Sequence, residues 1–276
     1  AEIGCMFTYK PLPAKKVVPL PAGVYGHEGA DRVNPERLEV INLSRKEEIL
    51  PIGATYDKVQ KDVESFIANE AIYKEVKSIY KLGLLFYGSP GQGKTFFIRK
   101  LIENDFKDHI VIYLKDSVIP SRYFLSKLEE LTPDKLKVFV FEELTSNLRA
   151  WYMSWLLTFL DGESSINKSI IIATTNYPEV LPENVVLRPS RFDKLYEFGD
   201  PTAKEREIII THFMGRTATP EEVKETDKFS VASIKEVCLM VRINKLSLTE
   251  AVAELRARAR KCKSQFQKSA DKVGFV

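Results

Sequence analysis

The chain has 276 residues, which is long enough for one large domain and a smaller one. Its composition, with 44% hydrophobic and 29% charged residues, is typical of a soluble globular protein, and its net charge of +3 is too small to indicate a nucleic-acid partner by itself. No apolar run approaches the roughly 20 residues of a transmembrane helix. The three cysteines are far apart in the sequence and suggest neither a disulfide framework nor a zinc site: Cys5, Cys238 and Cys262. We therefore expect a cytoplasmic or other reducing intracellular location.

The first 45 residues differ from the rest of the chain. Prolines mix there with glycines and charged residues, and the hydrophobic periodicity is weak. This pattern predicts a Pro-rich arm or linker in which short strands could occur. We divide the chain into this arm (1–45), a large domain (46–200) and a small helical domain with a basic C-terminal helix (201–276).

Strands and helices alternate through the large domain. Apolar spacing over 56–80 predicts one or two helices, and a strand, a helix and further elements follow in chain order: strand 82–87, helix 96–102, strand 109–114, helix 120–131, strand 137–141, helix 148–160, strand 169–174 and strand 195–198. This alternation is typical of an α/β fold whose parallel sheet has helices on both faces. After Pro201 only helices are predicted, over 203–214, 220–225, 231–241 and 247–268.

A glycine-rich turn joins the strand at 82–87 to the helix that follows it. The turn matches G-x-x-x-x-G-K-S/T, and in this context the motif predicts a loop whose backbone N–H groups bind phosphate. Lys94 can reach the β- and γ-phosphates, and the Thr95 hydroxyl can bind Mg²⁺. A glycine-rich turn with a surface lysine is the alternative. The candidate nucleotide-binding residues are Gly88, Ser89, Pro90, Gly91, Gln92, Gly93, Lys94, Thr95 and Phe96.

Two adjacent carboxylates follow the buried strand at 137–141. Because the carboxyl ends of parallel strands lie at one edge of a sheet, we expect Glu142 and Glu143 near the phosphate-binding loop. The first would hold Mg²⁺ through water, and the second would orient or deprotonate an attacking water. A solvated acidic strand end is the alternative.

Further polar residues follow the next predicted strand. Asn176 lies just past the strand at 169–174, where its amide could contact the γ-phosphate or the attacking water; a turn-forming asparagine is the alternative. Arg188 and Arg191 lie on a Pro-containing segment and could stabilise charge that develops on a phosphate, although such a pair is more commonly a surface salt-bridge cluster.

In combination these motifs resemble those of the AAA ATPases, a branch of the AAA+ ring-forming nucleotidases. The resemblance rests on the Walker A motif at 88–95, a Walker B motif that ends in Glu142-Glu143, the sensor-1 Asn176 and the second region of homology over 174–193. It covers roughly 50–261. The stretches 159–162 and 172–179 are most similar to the mitochondrial Rieske-protein translocase subgroup.

The resemblance implies a P-loop sheet domain followed by a small helical lid, and hydrolysis of ATP with Mg²⁺. It implies that Thr95 and Glu142 bind the metal, that Glu143 is the catalytic glutamate and that Asn176 is sensor 1. Arg188 and Arg191 would be arginine fingers that reach the nucleotide of a neighbouring subunit. A homo-oligomeric ring, usually a hexamer, is therefore implied, and it would remodel or translocate a macromolecular substrate.

Three positions depart from the family pattern. Glu142 stands where the family has Asp, so its carboxylate lies on a longer side chain. The sensor-2 region, 230–234, has no arginine. Tyr123 falls near the expected substrate-gripping pore loop but lacks the glycine that should follow it, so a packing role is the alternative.

Two other functions follow from the residues. The first is a nucleotide-dependent scaffold that hydrolyses ATP weakly because Glu142 stands in place of Asp. The basic segment 254–263 could instead contact nucleic acid, as in a nucleic-acid-stimulated motor, although a solvated helix face explains the same charges. A nucleic-acid partner is thus possible but not indicated. The aromatic residues Trp151, Tyr152 and Trp155 have helical spacing and are expected in the core or at a subunit interface.

Overall fold

A computed structural model describes residues 19–29, 36–43, 54–114, 120–146, 150–161, 167–186, 188 and 190–273. Cys5, Gly162, Leu187 and Pro189, and the side chains of Trp151, Cys262 and Lys263, lie outside this description. The strands are β1 (Gly23–Glu28), β2 (Arg37–Val40), β3 (Lys81–Tyr87), β4 (Ile110–Leu114), β5 (Lys137–Phe141), β6 (Ser169–Thr175) and β7 (Lys194–Glu197).

The helices confirm the predicted alternation. They are α1 (Ala54–Ala68), α2 (Glu70–Glu75), α3 (Lys94–Asn104), α4 (Arg122–Leu131), α5 (Ala150–Asp161), α6 (Glu183–Val186), α7 (Ala203–Met214), α8 (Pro220–Glu225), α9 (Val231–Asn244) and α10 (Leu248–Val273). Short 3₁₀ turns follow β5 and β6. Among the described helices, none is both long and apolar enough to span a membrane.

The seven strands form one sheet in the order β2-β1-β4-β5-β6-β3-β7. All neighbouring strands are parallel except β2, which pairs antiparallel with β1 at the edge. Strands β3 and β6 pair in register from Lys81↔Ser169 to Tyr87↔Thr175. The segments after β3, β5 and β6 therefore meet at the same edge of the sheet.

Two hydrophobic layers cover the two faces of the sheet. In β3, Leu84 and Phe86 pack on one face with α1 and α3, while Leu85 packs on the other with α4 and α5. Leu84 and Leu85 are fully buried, and burying a leucine side chain stabilises a fold by about 2 kcal/mol. This double burial explains why the strands have near-continuous apolar sequences, and it confirms the predicted α/β fold with helices on both faces.

The aromatic residues of α5 belong to one of these layers. Tyr152 is buried, and Trp155 stacks on Phe159 with ring centroids 5.2 Å apart. Of the two positions predicted for them, core or subunit interface, Tyr152 has the core position and Trp155 packs against the core while partly buried.

Helices α7 to α10 form the C-terminal helical region. Thr202 and Thr219 begin α7 and α8 with capping boxes, in which the threonine side chain and a glutamate three residues later satisfy each other's backbone N–H groups. Apolar side chains of α7, α9 and α10 form two further clusters. The region is consistent with the predicted helical lid on a P-loop AAA fold.

Part of the expected Pro-rich arm lies in the sheet. Strand β1 pairs with β4 from Gly23↔Ile110 to His27↔Leu114, and Tyr25 and His27 are buried. The hydrophobic pattern is weak here because a histidine and two glycines occupy a six-residue strand. The domain boundaries at residues 45 and 200 stay predictions.

Candidate nucleotide-binding site

A cavity of about 800 Å³ opens at the carboxyl edge of the sheet. Its walls are the loop before α3, the ends of β5 and β6, the segment after β7, and helices α7 and α9. Ligand pockets typically measure about 300–1,000 Å³, so the cavity has the size of a small-molecule site. Every predicted nucleotide-binding residue from Pro90 to Phe96 lines it, together with Glu142, Glu143 and Asn176.

The glycines of the loop have backbone conformations that other residues rarely adopt. Gly88, Gly91 and Gly93 have φ angles of 140°, 81° and 89°. At Gly88 a Cβ atom would lie 2.2 Å from the carbonyl oxygen of Phe198, so only glycine fits between the loop and the end of β7. Gly93 caps α3, and the helix N-terminus therefore faces the loop, where its partial positive charge favours an anion.

Lys94 lies inside the loop and is only 7% exposed. Its Nζ donates to the carbonyl oxygens of Gly88 (2.5 Å) and Ser89 (3.1 Å) and to Asn176 Oδ1 (2.7 Å). Burial lowers the pKa of Lys94, and the nearby charge of Glu143 opposes this effect. The two loop carbonyls and Asn176 thus hold the ammonium inside the loop.

Glu143 is held by donors from two strand ends. Asn176 donates its side-chain amide to Oε2 and its backbone N–H to Oε1 (3.3 Å), and Thr145 Oγ1 donates to Oε1 (3.2 Å). Glu143 has a left-handed backbone with φ of 53°, and its N–H donates to Thr174 Oγ1 at 2.9 Å. These bonds fix the carboxylate beside Lys94, with Asn176 between them.

Glu142 is exposed and lines the same cavity, where nearby protein atoms displace part of the water around its carboxylate. The resulting loss of solvation raises the pKa of Glu142; Arg99 lowers it, and Glu143 raises it further. Thr95 and Glu142 provide a hydroxyl and a carboxylate oxygen, the donor types that Mg²⁺ prefers. The described residues contain no cluster of three metal-binding side chains, but Mg²⁺ completed by phosphate oxygens and water does not require one.

The two arginines are not part of this cavity. Arg191 is 3% exposed and forms a two-pronged pair with Asp161, with Nε–Oδ1 and Nη2–Oδ2 distances of 2.6 and 2.7 Å. Its Nη1 also donates to the carbonyl oxygen of Asn184. The side chain of Arg188 is 60% exposed and contacts Asp161 Oδ2 at 3.1 Å. Of the two predicted fingers, the structure therefore leaves Arg188 exposed and binds Arg191 within its own chain.

Comparison with known proteins agrees with this geometry. Residues 84–200 match the family described as "ATPase family associated with various cellular activities (AAA)". Residues 84–200 are thus an AAA ATPase domain. The match contains the loop, both glutamates, Asn176 and both arginines, so the predicted family is confirmed together with its P-loop fold.

Several curated AAA relatives have similar sequences. The chain is 28% identical over 212 residues to a probable mitochondrial chaperone bcs1 of Schizosaccharomyces pombe, an alignment that covers 70% of the chain and 45% of that protein. It is 24% identical over 245 residues to a proteasome-activating nucleotidase of Sulfurisphaera tokodaii, covering 75% and 62%. It is 28% identical over 193 residues to a putative cell division cycle ATPase of Plasmodium falciparum, covering 60% and 15%. The chain thus spans between 15% and 62% of the length of these three relatives.

The structure also shows two contacts of the phosphate-binding loop, with the sensor-2 region and with the segment before α7, that the sequence did not indicate. The backbone N–H of Ala232, in the sensor-2 region, donates to the carbonyl oxygen of Gly91 at 3.0 Å. The buried Gln92 donates its Nε2 to Asp200 Oδ1 at 2.5 Å. Neither Ala232 nor Asp200 could be predicted from local sequence spacing, because each lies more than 100 residues after its partner in the loop.

Side chains of the lid line the remainder of the cavity. Phe213 of α7 and Lys235 of α9 face it, with Lys235 Nζ 5.7 Å from the centre of the Phe213 ring. Tyr123 lies elsewhere, at the start of α4, and is 73% exposed. The alternative that Tyr123 packs in the core is therefore wrong.

Proposed function

We propose that this chain hydrolyses ATP with Mg²⁺ in a homo-oligomeric ring, and that the ring uses this energy to remodel or translocate a macromolecule. The observation that carries the proposal is the hydrogen-bonded path from Lys94 through Asn176 to Glu143. This path joins the lysine of a phosphate-binding loop to a carboxylate that can act as a general base.

The loop and α3 would bind the phosphates through backbone N–H groups, and Lys94 would exchange its contacts with Gly88 and Ser89 for phosphate oxygens. Thr95 and Glu142 would hold Mg²⁺, which when bound neutralises charge on the β- and γ-phosphates. Phe213 and Lys235 line the opposite, lid side of the cavity, which leaves that side for the nucleoside.

Glu143 would accept the proton of the attacking water. Its two oxygens are oriented by Asn176 and Thr145, so one lone-pair direction can face the water while the others are occupied. Asn176, which touches both Lys94 and Glu143, would respond to the γ-phosphate.

Arg188 supports the oligomeric part of the proposal. Arg188 lies two residues before Ser190, and the carbonyl oxygen of Ser190 accepts a hydrogen bond from Lys81, the first residue of β3. The P-loop follows the opposite end of β3. Seven strand residues at about 3.3 Å each separate the two ends by roughly 20 Å. The exposed Arg188 therefore lies far from its own cavity and would act at the cavity of a neighbouring subunit, as in a head-to-tail ring.

Protein is the favoured substrate class. Two relatives are named as a chaperone and as a proteasome-activating nucleotidase, and the exposed Tyr123 offers an aromatic contact. The basic C-terminal helix supports nucleic acid less well. Arg256 donates to the carbonyl oxygen of Glu225 and lies over the Phe229 ring, and Arg258 pairs with two glutamates of the lid.

The test compares ATP hydrolysis by the parent, Lys94→Ala and Glu143→Gln. Both variants should lose at least roughly 100-fold in kcat, since each removes a group that acts on the transferred phosphoryl or the water. Lys107→Ala and Glu103→Gln are matched controls, because both side chains are exposed and lie outside the cavity, Glu103 in the last turn of α3 and Lys107 just after the helix. Parent-like rates in both site variants would refute the assignment. Native mass measurement with and without ATP tests the ring, and stimulation by unfolded protein, DNA or RNA tests the substrate class.

A scaffold with weak hydrolysis is the second candidate, and the observation that favours it is Glu142 in place of Asp. Glu142→Asp distinguishes the two functions. A large gain in turnover with unchanged ATP binding would support the scaffold, and an unchanged or lower turnover would support the ATPase.

A further inference from the structure

The loop that follows Arg188 is attached to the strand that leads into the P-loop of the same chain. Lys81, the first residue of β3, donates from Nζ to the carbonyl oxygen of Ser190 at 2.6 Å and to that of Leu160 in the last turn of α5. The lysine is only 9% exposed. One ammonium therefore joins β3, the end of α5 and the arginine-bearing loop.

The backbone of β3 adds a second attachment to the same loop. Gly83 donates its N–H to Asp193 Oδ2 at 2.7 Å, and the N–H of Asp193 donates to the carbonyl oxygen of Gly83 at 2.8 Å. A Cβ atom at Gly83 would lie 2.0 Å from the carbonyl oxygen of Arg191, so the loop lies directly on the strand. The loop is thus fixed on both sides of Arg191.

A buried lysine at the start of an apolar strand needs a reason. Burial lowers the pKa of Lys81, and the carboxylates of Asp161 and Asp193 favour its charged form. Ser190, which accepts from Lys81, has a left-handed backbone with φ of 69°. This conformation is unfavourable for serine and persists only where neighbouring groups hold it. The bonding pattern is that of a residue that fixes the shape of this turn.

We propose that Lys81 is a positioning residue for Arg188. The strand that leads into a subunit's own P-loop thereby also fixes the position of the arginine that this subunit presents to its neighbour. This inference rests on the proposed function, because it assumes that Arg188 acts in trans. Asp161 takes part, since it accepts from both Arg188 and Arg191. Loss of Lys81 would free the turn at Ser190 and displace Arg188 while leaving the subunit's own cavity unchanged.

The experiment measures ATP affinity and kcat for Lys81→Met in the full chain. We expect unchanged ATP affinity and a fall in kcat of roughly 10- to 100-fold, because a misplacement of about 1 Å has an effect of this size. Lys137→Met is the matched control. Lys137 begins β5, is also buried (1% exposed, against 9% for Lys81), and faces Lys81 across Ser169 in the sheet register. Among the described residues it has no hydrogen bond to the 190–193 loop, so its variant should keep the parent kcat.

Mixing subunits separates positioning from general loss of structure. Lys81→Met subunits keep an intact cavity but a displaced Arg188, whereas Glu143→Gln subunits have an inactive cavity and an intact Arg188. When the two variants are mixed equally before assembly, half of the subunits (Lys81→Met) have an active cavity. On average, half of these have a Glu143→Gln neighbour, which supplies a correctly positioned Arg188. The rate should recover to about a quarter of the parent rate per subunit in a head-to-tail ring.

The outcomes distinguish this inference from the function on which it rests. A parent-like rate in Arg188→Ala overturns the arginine in trans and the inference with it. A slow Arg188→Ala beside a fast Lys81→Met overturns the inference alone, as does the absence of recovery in the mixture or an equal loss in Lys137→Met. A partial return of kcat in Lys81→Arg, which keeps a donor for Ser190, supports it.

Discussion

Asn176 connects the two charged groups of the cavity, and its replacement gives the sharpest test of the site. Asn176→Ala removes one acceptor from the Lys94 ammonium and one donor from the Glu143 carboxylate. Each hydrogen bond to a charged group contributes about 1.5 kcal/mol or more, so the two together amount to about 3 kcal/mol. If this free energy is expressed at the transition state, kcat falls roughly 100-fold.

The assay is steady-state ATP hydrolysis together with direct measurement of ATP affinity. The P-loop glycines and Lys94 remain in Asn176→Ala, so ATP affinity should change much less than kcat. Asn167→Ala is the control. Asn167 lies before β6, at the opposite end of the strand, and accepts from the backbone N–H of Tyr80, so its loss should lower stability but not kcat. A kcat of Asn176→Ala close to that of the parent would refute the proposed role of this path.

Two further predictions concern stability. Ser190→Gly should raise the free energy of unfolding by about 0.5–1 kcal/mol, because glycine adopts a φ of 69° without steric cost; thermal denaturation measures it, and a lower midpoint would contradict it. His27 is buried and burial lowers its pKa, which its contact with Glu36 opposes. The folded state therefore binds this proton less readily than the unfolded chain, so the unfolding free energy should fall as pH drops below the ordinary histidine value of about 6.5. Urea denaturation at about pH 7.5 and 5.5 should show a larger fall for the parent than for His27→Gln, and equal falls would refute the assignment.

The elements that position the site could be predicted because their sequences are locally decisive. Strand β3 is apolar from Leu82 to Tyr87, and the glycines that follow it require special φ angles, so both strand and loop are apparent from the sequence. The meeting of Glu143 and Asn176 follows from the rule that parallel strands end at one edge. Each of these predictions depends on neighbours in the sequence or on a general property of parallel sheets.

Contacts between distant segments could not be predicted in this way. The burial of Arg191 depends on Asp161, which precedes it by 30 residues and closes α5. The attachment of the lid depends on Ala232 and Gly91, whose backbone groups have no side-chain signature. The position of strand β1 could not be predicted, because its stability comes from pairing with β4 more than from its own apolar pattern.

The bond between Ala232 and Gly91 has a consequence for the timing of the proposed ATPase cycle. It ties a backbone amide at the start of α9 to the peptide that precedes Gln92 in the loop. The start of α9 cannot move away from the P-loop without breaking this bond. Under the proposed function, variants that weaken this bond should therefore release ADP faster while the rate of ATP cleavage stays unchanged.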